Sequence, residues 1–231
     1  RSSDLLFIAS APSGPTFEGA HLSSGMRAVS GAVARVFIQN GQPVCQTIDG
    51  SRPAGICGSG IIDAMATMLE HGIINHRGHL NPALPRVAAD SHSIHYVLVP
   101  GDQSATGRDI VITQSDISQI QLAKAAINSA VSTLSAIAGL PLSELSEIIL
   151  AGSFGSHFDV DNARRIGLIP DIPGAAYRQV GNAAGIGAQL VLNDFESRRR
   201  SLAIPESVRY VELTNEAMFN SAFARSLSFP E

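Results

Sequence analysis

The chain has 231 residues, of which 45% are apolar and 16% charged, with a net charge of −4. That length allows one large domain or two packed lobes with a buried core, and the balance is that of a folded protein rather than a disordered segment. The charge excludes a global attraction to nucleic acid or to an anionic membrane, so no nucleic-acid partner is expected.

Arg1-Ser2-Ser3-Asp4 runs at once into Leu5 to Ser10, read as a strand with no initiator methionine, so a piece of something longer is expected. No apolar run reaches bilayer-spanning length and no signal peptide begins the chain, which predicts a cytoplasmic protein with no membrane contact. The loop that follows, Ala11 to Gly19, is broken by prolines and glycines. Its Glu18 has the chemistry to bind a cation or a ligand hydroxyl, and equally to cap a backbone amide.

Ala32 to Gln39 alternates, Asn40-Gly41 is a hairpin turn, and Val44 to Ile48 returns as the partner strand. Cys45 and Cys57 fit no metal-ligand spacing. They are expected as free buried thiols, with a disulfide as the other reading. Gly55 to Gly60 is glycine-rich and leads into a helix whose apolar positions 61, 62, 65, 68 and 69 share one face, stopped by Gly72. Ser59 is the expected N-cap. Free amides at such a terminus attract phosphate, and a capped helix packing closely through Gly58, Ser59 and Gly60 explains the same residues equally well.

Asn75 to Ser93 is polar, and its histidines (His76, His79, His92) share no register for a metal, so a surface loop is expected. Strands follow at Ile94 to Pro100 and Ile110 to Ile112. Thr113 with Asp116 is a capping sequence for the longest helix, about Gln114 to Ala138. On it Gln121 and Lys124 share a face one turn apart, away from the apolar stripe. Alone, such a lysine is usually solvated.

Ile148 to Ala151 is a buried-strand pattern that meets Gly152-Ser153-Phe154-Gly155 without a spacer. Such a loop sets a ligand against backbone amides at the carboxyl edge of a parallel sheet, and an ordinary strand-to-loop turn reads the same. Asp159 to Ile166 is a short helix with Asp159 or Asp161 near its start. A second glycine-rich segment, Val180 to Ala188, precedes a helix from about Ala183 to Phe195. Arg198-Arg199-Arg200, beside Glu196, reads as a solvated helix end. Arg209 to Leu213 reads as a strand and Thr214 as the cap of a last helix through Ala224. The mixture of strands and helices is α/β.

Several of these stretches, in order along nearly the whole chain, carry a resemblance. They are Gly14-Pro15-Thr16-Phe17-Glu18-Gly19 with Gly25-Met26-Arg27, Gly55 to Gly60, Ile112 to Ile117, Gln121 to Ala126, Leu150 to Gly155, Arg165 to Pro173 and Val180 to Gly185. Together they resemble the carboxyl-terminal part of the ATP-dependent reductive activators of corrinoid proteins, in the acetate and sugar kinase/heat-shock chaperone/actin superfamily. The resemblance implies an actin-like ATPase lobe of ribonuclease-H type, with a mixed sheet flanked by helices. It implies ATP with Mg2+, a [2Fe–2S] ferredoxin module in an upstream domain, and return of Co(II) corrinoids to Co(I) for methyl transfer. A corrinoid protein is the implied partner, and a homodimer is also expected. In that superfamily the glycine loop after the late strand holds adenosine, which assigns Gly152, Ser153, Phe154 and Gly155. The preceding long helix offers polar residues to adenine or ribose, which assigns Gln121 and Lys124. Gly58, Ser59 and Gly60 would face the same cleft, and Gly181 to Gly187 resembles the connecting motif where lobes hinge.

The chain also departs from the superfamily pattern. It has no Asp-Ile-Gly-Thr phosphate hairpin and no Cys-x4-Cys-x2-Cys run for a cluster. The expectation is therefore a fragment holding the adenosine side without the phosphate machinery, inactive as an ATPase by itself and with no catalytic or metal-binding residue. The alternatives are an actin-like small-molecule kinase, since fold does not decide function, and a non-catalytic actin-like scaffold.

Overall fold

In the structure, a computed structural model, residues 6–91 and 93–231 are described. The strands are β1 (Leu6–Ile8), β2 (Ala32–Gln39), β3 (Gln42–Thr47), β4 (Gly55–Ile56), β5 (Val87–Ala89), β6 (Ile94–Val99), β7 (Ile110–Thr113), β8 (Glu147–Ala151), β9 (Ala176–Gly181) and β10 (Val208–Tyr210). The α-helices are α1 (Gly58–Glu70), α2 (Gln114–Ile137), α3 (Val160–Arg165), α4 (Ala183–Asn193), α5 (Phe195–Ala203) and α6 (Ala217–Arg225). The chain divides into two units, one of residues 12–128, 158–171 and 223–231, the other of residues up to 11, 129–157 and 172–222.

The larger unit is built on two sheets, β3-β2-β4 and β5-β6-β7. Asn40 and Gly41, both with positive φ (51° and 74°), close the β2–β3 hairpin as expected of this pair. β4 adds to β2 in parallel, and the chain then enters α1, which packs against β2 and α3. Residues Gly58 to Met68 of α1 are all buried. Thr113 and Asp116 form a reciprocal capping box at the start of α2: the Asp116 N–H donates to Thr113 Oγ1 (3.1 Å) and the Thr113 N–H to Asp116 Oδ2 (2.9 Å). Asp116 also accepts from the N–H and hydroxyl of Ser23, tying the Gly14–Arg27 loop to the head of the helix. Asp159 caps α3 by accepting from the Asn162 N–H at 3.0 Å.

The smaller unit holds two parallel strand pairs, β1 with β10 and β8 with β9. A parallel pair needs a crossover, and the segment between β8 and β9 supplies one. Asn182 caps α4, and Asp194, accepting from the Ser197 N–H at 2.7 Å, caps α5. Neither helix has a buried residue, and Leu192 and Phe195 are 84% and 86% exposed.

Several expectations need correction. Helix α1 begins at Gly58 with Cys57 as its N-cap, two residues earlier than a Ser59 cap would require, and Ser59 lies buried inside the first turn. The polar stretch before Ser93 contains β5, whose strand character comes from pairing with β6 rather than from its own composition. The helix expected from Ala183 to Phe195 stops at Asn193, since Asp194 begins a new one. Thr214 lies in a short 3-10 turn, and α6 starts at Ala217. Cys57 is buried but Cys45 only partly so, and both are free thiols. Leu5 and His92 lie outside the described residues.

Candidate functional site

The three glycine-loop residues at the head of α1 are packed away. Gly58, Ser59 and Gly60 are buried, and a Cβ on Gly60 would stand 2.2 Å from the carbonyl oxygen of Val33 in β2. The close approach of helix to strand is what this glycine permits. Cys57 Sγ donates to the same carbonyl at 3.3 Å and lies 3.5 Å from Ser59 Oγ, so the side chains of the motif are spent inside the packing.

One turn further, Asp63 is 1% exposed. Its carboxylate receives Arg35 Nε at 2.8 Å, Asn162 Nδ2 at 2.7 Å and the Val36 N–H at 3.3 Å. Burial pushes its pKa above the ordinary carboxylate value, against the pull of Asn162, Arg35 and the Val36 amide. Arg35 reaches on to Asp159 at 3.2 Å, so one buried carboxylate links α1, β2 and the head of α3. A charged residue among Ile61, Ile62 and Met65 was the sequence signal for this hub, which the pattern of apolar positions passed over.

Gln121 and Lys124 do come together, and they meet the chain's own last residues. Gln121 Nε2 donates to the carbonyls of Arg77 (3.1 Å) and Leu227 (3.0 Å). The Lys124 ammonium donates to the Ser228 carbonyl and lies 5.0 Å from the centre of the Phe229 ring. Lys124 is 1% exposed, and burial lowers its pKa to about 8. It is thus a buried anchor where solvation is the usual fate of such a lysine.

Beside it, still within the larger unit, opens a cavity of about 700 Å³ lined by Glu70, Asn128, Asp161, Arg165, Asp171 and Glu231 among others. That volume falls within the roughly 300–1,000 Å³ of small-molecule sites. Arg164 is bound to Asp161 at 2.9 Å and to Asp171, and Arg165 to Glu70, so carboxylates already neutralise both guanidinium groups. A wall rich in carboxylate acceptors suits a ligand's hydroxyl or amino donors better than a bare phosphate. Asn128, one turn beyond Lys124 on α2, was missed by sequence reasoning. The repeated polar spacing Gln121, Lys124, Asn128 would have pointed to it.

The loop Gly152 to Gly155 belongs to the smaller unit. Gly152 has φ +96° with nothing within 4 Å of where a Cβ would be. The loop is braced by its own neighbours: the Gly152 N–H donates to Gly181 O (2.7 Å), Ser156 Oγ to Gly152 O (2.8 Å) and Gln179 Nε2 to Gly155 O (2.7 Å). Phe154 is 37% exposed. The result is a hydrogen-bonded loop with open space at its first glycine.

Among the described residues no group of three or more His, Cys, Asp or Glu could hold a metal ion, and no helix is long and apolar enough to cross a membrane. Two cysteines cannot supply the four thiolates of a [2Fe–2S] cluster, so this chain's own residues do not fit one.

Mixed sheets flanked by helices, with a glycine loop following a parallel strand, are the architecture of an actin-like ATPase domain. The chain belongs to the family described as the C-terminal domain of RACo, the ASKHA domain, whose model matches residues 1–231. It is 38% identical over 98% of its length to the corrinoid activation enzyme RamQ of Eubacterium limosum, spanning 40% of that protein. It is 28% identical over 72% of its length to the [Co(II) methylated amine-specific corrinoid protein] reductase of Methanosarcina barkeri, spanning 32% of it. A solved structure, a reductive activator for a corrinoid, iron-sulfur protein, superposes over all of the chain with a TM-score of 0.88 at 33% identity, and the chain spans 40% of it.

Proposed function

We propose that this chain is the C-terminal, nucleotide-responsive part of a protein that reductively activates Co(II) corrinoid proteins to Co(I), so that methyl transfer resumes. The observation that carries the reading is the 38% identity to a corrinoid activation enzyme over nearly the whole chain. None of the relatives described above favours the kinase or the scaffold alternative.

ATP with Mg2+ is the proposed effector. The cavity beside α2 has a volume in the range of a nucleoside site, and in the smaller unit Gly152 leaves open space at its own backbone. ATP supplies the free energy for an uphill one-electron reduction; the residues described here bind and orient, and the electrons come from elsewhere. A [2Fe–2S] module in the remaining length of the activator is the proposed donor. Closure on ATP about Gly181 to Gly187 is the proposed signal, and scattering profiles unchanged by nucleotide would exclude it. The corrinoid protein is the proposed partner and the cytoplasm the proposed compartment. A homodimer is checked by sedimentation of the complete activator.

The deciding experiment mixes the complete activator with a Co(II) corrinoid protein and a low-potential reductant, and follows Co(I) by its absorbance with and without ATP. The reading expects Co(I) only when ATP is present. Equal reduction without ATP would remove the nucleotide from the function.

A further inference from the structure

Residues Leu227 to Pro230 are held by specific contacts to the rest of the larger unit. Gln121 and Lys124 take the carbonyls of Leu227 and Ser228, and the Phe229 N–H donates to the His76 carbonyl at 2.7 Å. Phe229 is 3% exposed and roofs the Lys124 ammonium. Ser226 Oγ donates to Asn128 Oδ1 at 3.5 Å, and Pro230 lies so close to Gly167 that a Cβ there would stand 3.1 Å from its ring. Held in this way, Pro230 and Glu231 form part of the wall of the 700 Å³ cavity.

We propose that Gln121 and Lys124 serve nucleotide binding as positioning residues, by pinning the segment Leu227–Glu231 so that Pro230 and Glu231 complete one wall of the cavity. The inference rests on the nucleotide reading above and deepens it. Among the described residues the two side chains donate to main-chain oxygens, the ammonium is roofed by Phe229, and neither side chain lines the cavity. A ligand in the cavity would touch the wall they hold.

The test uses the complete activator with ATP as the probe, reading affinity by calorimetry and the exchange rate of the Phe229 amide by hydrogen exchange. Deleting Pro230 and Glu231 leaves Lys124 and the Ser228 carbonyl in place, and is expected to weaken ATP binding at least about tenfold. Lys124→Met is expected to speed exchange at Phe229 and to weaken ATP together. If it prevents folding, Gln121→Leu, at a partly exposed position, makes the same comparison. ATP is expected to slow Phe229 exchange in the wild type. Unchanged affinity after the deletion overturns the proposal, and so does a Lys124→Met protein that loses ATP while Phe229 exchange stays the same, since the lysine would then act on the ligand directly. A wild-type protein that binds no ATP overturns the nucleotide reading itself, an outcome distinct from both.

Discussion

Gly60 passes so close beneath Val33 that a Cβ on the glycine would meet the valine's carbonyl oxygen at 2.2 Å. The motif around it looks like a phosphate loop in sequence, yet its tightness serves the seat of α1 on β2. Gly60→Ala must push the helix off the strand, an overpacking cost of about 1–3 kcal/mol. Thermal melting is expected to show a clear loss of stability, with the α1–β2 amides exchanging faster. A melt like the wild type would mean that α1 can shift freely.

Asp63 is expected to matter for stability in a different manner. Asp63→Ala leaves Asn162 Nδ2 and the Val36 N–H without their acceptor. Unsatisfied buried donors cost about 1–3 kcal/mol. Asp63→Asn keeps an oxygen for one of them and sheds a desolvated charge, so chemical denaturation should rank it between alanine and wild type. Equal losses for both variants would show that the charge pair with Arg35, rather than the hydrogen bonds, holds the hub.

Lys124 gives the chain a distinctive alkaline profile. Its pKa falls from 10.5 to about 8 on burial, so between those values the unfolded chain holds the proton more firmly than the folded one. Stability attributable to Lys124 therefore rises as pH climbs from 8 to 10.5 and is flat below 8, where both forms are protonated. Cys45, pushed by burial from 9.0 to about 12, works the other way above pH 9, because the unfolded thiol ionises first. Subtracting the denaturation free energy of Lys124→Met from that of the wild type isolates the lysine. The difference should grow in favour of the wild type across that window, and a level difference would refute the burial.

Gly152 has room beside it but an unusual backbone, φ +96°. Gly152→Val should cost about 1–2 kcal/mol of stability from the left-handed conformation and abolish ATP binding by the complete activator. Calorimetry showing unchanged affinity would leave the loop with a structural role alone.

What could be read from the sequence was what is decided locally. Asn40-Gly41, the Thr113–Asp116 box and the Asp159 cap each bring donor and acceptor within a few residues, so their pattern is their cause. β5 was hidden because Val87 to Ala89 becomes a strand only through β6. Asp194 ends one helix and caps the next, and an apolar run across it concealed the break. At the site, Gln121 and Lys124 stood out as polar positions on an apolar helix. Their partners did not, because the grip on Leu227 and Ser228 is made to main-chain oxygens about a hundred residues away, which no side-chain pattern announces.

The two thiols have a practical use. Cys57 is buried with its sulfur donating to Val33, and Cys45, with a pKa near 12, carries almost no thiolate at neutral pH. Alkylating reagents should pass both by in the folded chain. A single surface cysteine introduced elsewhere could then take a fluorophore or spin label selectively, with the native thiols left in place.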